Sequence, residues 1–176
     1  MKSALFFLFI FFSVGVYSAT MPTLISYPSG KEKNLNADKK TKVLVFLSKT
    51  CPCTQQNIPY INEISKNFPE IEFIGVHSVR NATSKDIEEI RESYKAEFPI
   101  IDDSDLKMAD FLKANRTPQT FILDENNNVL YSGGVTERTN PYSAKKLYLK
   151  NALTELANNQ AITEKETRSL GCIILR

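Results

Sequence analysis

The hydrophobic pattern changes its period between residues 43 and 68. Val43–Leu47 is apolar at every position and is bounded by polar turn residues, which predicts a strand buried on both faces. Beyond it, Ile61, Ile64 and Phe68 recur at helical spacing and predict a helix that ends near Asn67. The chain therefore passes from a buried strand through a short polar turn into a helix.

The same two patterns alternate through the rest of the chain. Further strands are predicted at Ile71–His77, Phe98–Ile101, Gln119–Leu123 and Val129–Ser132. Further helices are predicted to begin at Thr83 and to occupy Asp105–Lys113 and Ser143–Asn158. Because strands and helices alternate before a hairpin and a last helix, the order predicts an α/β domain with a central mixed sheet.

Two of the three cysteines, Cys51 and Cys53, lie where the first strand turns into the helix. Unpaired backbone N–H groups and the macrodipole at a helix N-terminus favour a thiolate over a thiol. Pro52 suits the first helical turn, where its missing N–H would have no partner. Sites in such sheets form at the C-terminal edge of the parallel strands, and Cys51 and His77 are both predicted there.

The first residues predict export. Lys2 precedes the apolar run Ala4–Phe12, and small residues follow around Ser18, which is the pattern of a secretory signal peptide cleaved after Ser18 or Ala19. A membrane anchor is the alternative, but a serine and a glycine break the run before the ~18 apolar residues that a span needs. We expect a secreted or periplasmic protein without a stable membrane span, in a compartment where disulfides persist.

The predicted organisation has four parts. These are a signal peptide at residues 1–18, a turn-rich N-terminal arm at 19–40, one α/β domain at 41–158 and a C-terminal extension at 159–176. Loss of the signal peptide removes one lysine and lowers the formal charge from +2 to +1. Since no block of basic residues is present, we expect no nucleic-acid partner.

The order of elements over residues 42–158 resembles the thioredoxin-like superfamily. A hydrophobic strand leads into Cys51, and Pro59 follows eight residues later, at the spacing of the helix proline in that superfamily. The segment Arg116–Asp124 (RTPQTFILD) is similar to a strand of exported TlpA- and redoxin-type (AhpC/TSA-like) proteins. The resemblance implies a thioredoxin-like fold, thiol-dependent oxidoreductase activity and a cis proline at Pro118 that packs against the active-site sulfur.

The spacing of the cysteine pair departs from that of thioredoxins. Thioredoxins carry Cys-x-x-Cys, whereas Cys51 and Cys53 are separated by a single proline. A peroxiredoxin-like frame, Thr-x-x-Cys-Thr, would instead make Cys53 the attacking sulfur. The position of Pro59 favours Cys51, so we expect its sulfur to contact Pro118 at the helix N-terminus and to be more exposed than Cys53.

The resemblance implies a role for each candidate residue. Cys51 attacks, Pro118 shapes the substrate groove, and Cys53 or Cys172 resolves the intermediate. The groove is expected to include Thr50, Pro52 and Thr117. The expected substrate is a thiol or disulfide protein or a small peroxide, with an external electron donor and no cofactor.

Residues 166–172 also resemble the Gly-Cys ending of some bacterial redoxin-domain proteins, and residues 171–176 are called the tail below. Ile173–Leu175 would be a poor solvated terminus, so we expect it to dock on an apolar surface, with Gly171 allowing the backbone to turn. The tail is then predicted to reach the edge that carries Cys51 and to bring Cys172 near Cys51 or Cys53. The alternative is a C-terminal strand with Cys172 packed inward as a small hydrophobe.

Two other functions are compatible with the sequence. The chain could be a copper-binding module resembling Sco-type chaperones, with Cys51, Cys53 and His77 as ligands, since thiolate and imidazole suit copper. Those proteins space their cysteines Cys-x-x-x-Cys, so the resemblance is incomplete. The chain could also be a binding domain that keeps the fold without redox chemistry.

Overall fold

A seven-stranded mixed sheet forms the centre of the computed structural model, which describes residues 20–27, 30–37 and 39–176. The predicted signal peptide lies outside the described residues. The strands are β1 (Leu24–Tyr27), β2 (Lys31–Lys33), β3 (Lys42–Leu47), β4 (Glu72–His77), β5 (Ile100–Asp102), β6 (Arg116–Thr117), β7 (Gln119–Leu123), β8 (Val129–Gly133) and β9 (Cys172–Ile173). The helices are α1 (Pro52–Asn67), α2 (Ser84–Ser93), α3 (Lys107–Phe111) and α4 (Tyr148–Ala157), with a 3-10 turn at Pro141–Ser143.

The order of strands in the large sheet is β2-β1-β5-β4-β3-β7-β8. Strands β3, β4 and β5 run parallel at its centre, and the β7–β8 hairpin extends one side in antiparallel fashion. On the other side, the predicted N-terminal arm contributes β1 and β2. This arrangement confirms the predicted α/β domain with a central mixed sheet. Strands β6 and β9 form a separate two-stranded sheet.

Strand β3 is buried on both faces, as its uninterrupted apolar sequence predicted. Val43, Val45 and Leu47 pack with apolar residues of α1, α2 and α4. Leu44 and Phe46 pack on the opposite face with residues of α3 and of the N-terminal arm. Because successive side chains of a strand point to opposite faces, β3 belongs to two hydrophobic cores at once.

The C-terminal extension is anchored midway at Thr167. Its backbone N–H donates to the carbonyl of Ser132 in β8 at 3.1 Å. Its hydroxyl shares a 2.7 Å hydrogen bond with the buried hydroxyl of Tyr131. The extension is therefore fixed against the large sheet before it reaches β6.

The last helix begins later than the sequence predicts. The pattern places its start at Ser143, but Pro141–Ser143 forms a 3-10 turn capped by the Asn140 side chain, and α4 begins at Tyr148. The residues between are drawn into backbone pairing with an earlier loop, where the Glu137 N–H donates to the Lys146 carbonyl at 3.2 Å. The hydrophobic pattern of residues 143–158 does not indicate this backbone pairing with the loop at Glu137.

The other predicted elements are present, and their ends differ by at most two residues from the prediction. Helix α1 ends at Asn67 and β7 spans Gln119–Leu123, as predicted. The pattern does not predict β2 or β6, which are only three and two residues long. Strand β9 is the C-terminal strand considered as the alternative for the tail, but Cys172 is exposed in it and is not packed inward. Such short strands exist because of their pairing partners.

A substitution in β3 tests the two-core arrangement. Leu44 is fully buried, so Leu44→Ala should lower the free energy of unfolding by about 2–5 kcal/mol through lost burial and a residual cavity. Val129 in β8 is 50 % exposed, and Val129→Ala should change it by about 0.5 kcal/mol or less. Urea denaturation of the purified variants measures both. Equal losses would contradict the assignment of Leu44 to a packed core.

Candidate active site

Cys51 caps the N-terminus of α1. Its backbone is extended, with φ −92° and ψ 112°, and Pro52 begins the helix. The Cys51 N–H donates to the Ser48 carbonyl at 3.2 Å, and the Ser48 N–H donates to the Thr54 hydroxyl at 3.3 Å. The sulfur-bearing residue therefore lies at the predicted place, between a buried strand and the helix that follows it.

The turn before α1 is tied to β4 and α2 through Lys49. Its backbone N–H donates to Nε2 of His77 at 3.5 Å, and its carbonyl accepts a 2.5 Å hydrogen bond from the Tyr94 hydroxyl. The ammonium group contacts Glu89 at 2.8 Å and Asp86 at 3.0 Å, and these carboxylates raise the pKa of Lys49. Contacts from β4 and from α2 with its C-cap thus fix the turn that precedes Cys51.

The Cys51 sulfur faces the segment before Pro118. The Thr117–Pro118 peptide bond is cis, as the resemblance implied. The Cys51 thiol donates a 2.8 Å hydrogen bond to the carbonyl of Thr117. It is Cys51, and not Cys53, that makes this contact, which agrees with the helix position inferred from Pro59.

The tail lies along the same segment. Strand β9 pairs antiparallel with β6, so that Cys172 lies opposite Thr117 and Ile173 lies opposite Arg116. The Arg116 guanidinium also donates to the Gly171 carbonyl at 2.9 Å. The tail therefore folds back to the edge that carries Cys51, as predicted.

Ile174 carries most of the tail's packing. Its N–H donates to the Asn115 carbonyl at 3.0 Å, and its side chain is 4 % exposed in the core shared with α3. Ile173 and Leu175 are 64 % and 79 % exposed, because alternate residues of an extended segment face opposite sides. The expectation that all three residues dock on apolar surface therefore holds for Ile174 alone.

The two ends of the tail make specific contacts of their own. At Gly171, with φ +150°, a Cβ atom would overlap the Thr117 carbonyl, so only glycine allows the backbone to approach so closely. At the other end, Arg176 donates to the Asp110 carboxylate at 2.8 Å and to the Ala114 carbonyl at 2.7 Å. The tail is thus held at both ends as well as through Ile174.

The surroundings of Cys51 favour its thiolate. Burial alone raises the pKa of Cys51, but hydrogen bonds from the Cys172 thiol, the Thr117 hydroxyl and the backbone N–H groups of Cys172 and Thr54 outweigh burial and lower the pKa to about 7. The Thr117 hydroxyl is buried and has no hydrogen-bond partner among the described residues while the sulfur is a thiol. It is therefore free to donate once the thiolate forms.

The other two thiols are affected in the opposite direction. The hydrogen bond that Cys172 makes to the Cys51 sulfur, together with burial, raises the pKa of Cys172 to about 11. Burial, the neighbouring Cys51 charge and a hydrogen bond to Cys51 raise the pKa of Cys53. Cys51 is consequently the thiol that ionises near neutral pH.

The predicted order of exposure is wrong. Cys51 is 1 % exposed, whereas Cys53 is half-buried. The reason is the tail, since β9 lies beside the Thr117 carbonyl that Cys51 contacts and Cys172 interacts with the Cys51 sulfur. The sequence predicted that the tail reaches this edge, but the predicted exposure of Cys51 took no account of the burial that a docked tail causes.

Two of the three predicted groove residues line one cavity. Thr50 and Thr117 border a cavity of about 180 Å³, which also touches Arg80 and residues 173–175 of the tail. Pro52, the first residue of α1, is exposed. The cavity therefore lies between the turn before Cys51 and the docked tail.

His77 does not complete a metal site. Its Nε2 accepts from the Lys49 backbone, its Nδ1 is buried without a partner among the described residues, and burial lowers the pKa of the ring. Within the described part of the chain, no three His, Cys, Asp or Glu side chains are grouped as metal ligands. The set Cys51, Cys53 and His77 considered for copper is therefore not assembled.

Sequence reasoning assigned no role to Arg116, Gln119 or Arg176. Arg116 binds the Gly171 carbonyl, and Arg176 binds the Asp110 carboxylate, so both arginines hold the tail. The Gln119 side-chain carbonyl accepts from the Arg116 N–H at 3.3 Å and so fixes the backbone of β6. Arg116 and Gln119 flank the motif around Pro118, which was the only signal available. Their importance depends on a tail that lies more than 50 residues away.

The comparisons with known proteins agree with this geometry. The family model for redoxin matches residues 18–148. The chain belongs to the redoxin family. It is accordingly a thiol-dependent oxidoreductase. A search of curated proteins found no match.

Solved structures show the same fold. An uncharacterised conserved protein from Geobacillus kaustophilus is 18 % identical, with 90 % of each chain covered and a TM-score of 0.74. A hypothetical protein from Sinorhizobium meliloti is 18 % identical, with 89 % of this chain and 94 % of that chain covered and a TM-score of 0.72. A secreted Mycobacterium tuberculosis disulfide oxidoreductase is 17 % identical over 62 % of this chain and 80 % of that chain, with a TM-score of 0.54. These similarities establish the thioredoxin-like fold.

None of the helices among residues 20–27, 30–37 and 39–176 combines the length and apolar character needed to cross a bilayer.

The reactivity of Cys51 should follow its lowered pKa. Because the thiolate is the nucleophile, the rate of alkylation by iodoacetamide should fall as the pH drops through about 7 and should level off above it. Mass spectrometry of the alkylated peptides assigns the rate to Cys51. A midpoint close to the ordinary thiol pKa of 9.0 would contradict the stabilisation of the Cys51 thiolate by these hydrogen bonds.

The same measurement tests the contribution of the tail. Cys172→Ala removes the strongest hydrogen bond to the Cys51 thiolate and should raise the pKa of Cys51. Cys53→Ala is the matched control and should change it less, since Cys53 is not among the main groups that lower it. Equal midpoints in the two variants would show that Cys172 does not contact the thiolate in solution.

Proposed function

We propose that this protein is an exported thiol–disulfide oxidoreductase in which Cys51 is the attacking thiolate and Cys172 is the resolving thiol. One observation carries this proposal. Strand β9 places Cys172 opposite Thr117, the residue before the cis proline, and the carbonyl of Thr117 accepts from the Cys51 thiol, whose pKa is lowered to about 7. The predicted signal peptide at residues 1–18 supports export, and a similar fold occurs in a secreted disulfide oxidoreductase.

The first step is attack on a substrate disulfide. The Cys51 thiolate attacks one sulfur, the substrate S–S bond breaks, and a new S–S bond joins Cys51 to the substrate. The second substrate sulfur leaves as a thiolate and takes a proton from water. The turn at Lys49, held by His77 and Tyr94, keeps the attacking sulfur at the N-terminus of α1 during this step.

The second step releases the substrate. Cys172 gives up its proton, its thiolate attacks the Cys51 sulfur, and the substrate sulfur leaves as a thiolate. Two protein thiols have then become a Cys51–Cys172 disulfide, and the substrate disulfide has gained two electrons. An external dithiol must reduce the protein again, and with an oxidising partner the same steps run in reverse.

Cys172 suits the resolving role better than Cys53. The pairing of β9 with β6 places the exposed Cys172 opposite Thr117, whose carbonyl accepts from the Cys51 thiol, and a hydrogen bond to Cys51 raises the pKa of Cys172. Cys53 lies only two residues from Cys51 at the start of the same helix, where neighbouring side chains diverge and a disulfide would be strained. We therefore assign Cys53 no obligatory step.

A second candidate function is thiol peroxidase, which the burial of Cys51 favours. The docked tail leaves Cys51 1 % exposed, and a small peroxide needs far less access than a protein. The thiolate would attack one peroxide oxygen, the O–O bond would break, and water or an alcohol would leave after protonation. Cys172 would then attack the resulting sulfenic acid, expel water and form the same disulfide.

Serine variants of the three cysteines separate these roles. In turnover with a protein disulfide such as insulin and a dithiol reductant, Cys51→Ser should reduce the rate to background. Cys172→Ser should accumulate a Cys51–substrate mixed disulfide that non-reducing mass spectrometry detects. Cys53→Ser, the matched control, should turn over at about the wild-type rate.

Other outcomes have clear meanings. Accumulation of the mixed disulfide in Cys53→Ser, but not in Cys172→Ser, would transfer the resolving role to Cys53. Turnover of an organic hydroperoxide by wild type, lost in Cys51→Ser and without turnover of insulin, would favour the peroxidase. Wild-type rates in Cys51→Ser with both substrates would remove both proposals.

A further inference from the structure

A buried imidazole lies behind the turn that precedes Cys51, and the proposed exchange does not use it. His77 is the only histidine of the chain and is 1 % exposed at the end of β4. Its ring nitrogen Nε2 accepts a 3.5 Å hydrogen bond from the backbone N–H of Lys49, two residues before Cys51. The ring therefore connects β4 to the turn that positions the attacking sulfur.

This hydrogen bond requires a neutral ring. A neutral imidazole has one acceptor nitrogen and one N–H group, so acceptance at Nε2 places the proton on Nδ1. Nδ1 is buried and has no hydrogen-bond partner among the described residues, which is unfavourable for a donor. A second proton would turn Nε2 into a donor that faces the Lys49 N–H group. The place that His77 occupies therefore suits the neutral ring and not the imidazolium.

The surroundings of the ring also oppose its protonation in place. Burial is the largest effect and lowers the pKa of His77 from its ordinary value of 6.5, and the Lys49 ammonium acts in the same direction. Asp86 of α2 and Asp102 of β5 act in the opposite direction and do not outweigh burial. Because a solvated imidazole binds a proton more readily than the buried ring, a pH below 6.5 increasingly favours conformations in which the ring has left its site.

We propose that His77 is a pH-sensitive positioning residue, whose neutral ring holds the turn before Cys51 and whose protonation releases that turn. The backbone of His77 is paired with Leu47 of β3 and with Asp102 of β5, so the strand stays in place while the ring and the turn move. This inference rests on the proposed role of Cys51 as the attacking thiolate and adds a proton-dependent control of that role.

Release of the turn acts on the sulfur through a short path. Without the bond to His77, the described contacts of Lys49 all come from α2 and its C-cap. The turn then loses its tie to β4, and Cys51 shifts relative to the carbonyl of Thr117 that its sulfur contacts. Acid thus withdraws the attacking group in two ways, by protonating the thiolate and by moving the sulfur.

The single histidine allows a direct measurement on the wild-type chain. Proton NMR follows the ring of His77 from about pH 9 to about pH 4.5, and amide correlation spectra follow the N–H of Lys49. We expect the ring to titrate below 6.5 and the Lys49 amide to shift with the same midpoint. The amide of Val129, in a strand at the other edge of the sheet, should not follow that midpoint. Cys51→Ser repeats the measurement without the titration of the thiol.

The reaction rate provides the functional measurement. Reduced protein is mixed with bis(2-hydroxyethyl) disulfide, which has no group that titrates in this range, and mass spectrometry of quenched samples measures the conversion of Cys51 to a disulfide. The rate requires the thiolate and the neutral ring together. Below the pKa of Cys51, at about 7, the logarithm of the rate should fall with a slope of about one per pH unit. Below the midpoint of His77 the slope should approach about two.

Two substitutions of His77 separate positioning from packing. In His77→Gln the side-chain carbonyl is an acceptor that does not titrate, so the rate near pH 8 should stay within about threefold of wild type and the slope should remain about one. In His77→Leu no acceptor is left for the Lys49 N–H, so the rate near pH 8 should fall about tenfold. Far-ultraviolet circular dichroism checks that both variants fold, and if they do not, the NMR measurement on wild type decides.

The outcomes separate this inference from the proposed function. A slope that steepens in wild type but not in His77→Gln, with a Lys49 amide that follows the ring, would support the inference. It would be overturned by a ring that stays neutral down to about pH 4.5, by a Lys49 amide that does not follow the ring, by equal slopes in the two proteins or by cooperative unfolding at the same midpoint. Each of these results leaves the exchange intact as long as the reaction requires Cys51. Release of 2-mercaptoethanol at equal rates in wild type and Cys51→Ser would instead overturn the exchange, and with it the control proposed for His77.

Discussion

The antiparallel pairing of β9 with β6 determines the chemistry of the site. It brings Cys172 to the Cys51 sulfur, covers that sulfur, and places an N–H group and a thiol where they stabilise a thiolate. The same contact raises the pKa of Cys172, so the pair divides into one nucleophile and one protonated partner. In a Cys-x-x-Cys protein one helix supplies both thiols, whereas in the proposed Cys51–Cys172 pair two distant parts of the chain supply them.

The site combines a rigid part with an exchangeable part. Strand β3 belongs to both cores, and the turn that follows it is held by β4 and α2, so Cys51 is fixed by the most buried part of the fold. The tail depends on a two-residue ladder, one buried isoleucine and a few polar contacts. Segments with so few buried contacts open at a lower free-energy cost than the core does. The fold thus allows Cys172, the proposed resolving thiol, to move while Cys51 stays in place.

Local features were predictable from the sequence, and long-range ones were only partly so. The period of the apolar residues gave β3 and α1, and the motif around Pro118 gave the cis bond. The apolar terminus predicted that the tail docks, but a strand turns only alternate residues inward, so Ile174 alone is buried. The predicted exposure of Cys51 was wrong because the docked tail lies beside it, and the predicted start of α4 was wrong because Lys146 pairs with the loop at Glu137.

The anchor at Thr167 limits how far the tail can move from its docked position. Thr167 is bound to β8, and Cys172 follows five residues later, so the thiol can move at most roughly 17 Å from its anchor. A segment on so short a tether has an effective local concentration on the order of millimolar. A thiol or disulfide partner that approaches Cys51 therefore meets Cys172 as a competitor. The five-residue spacer therefore sets the concentration of tethered thiol with which any partner of Cys51 competes.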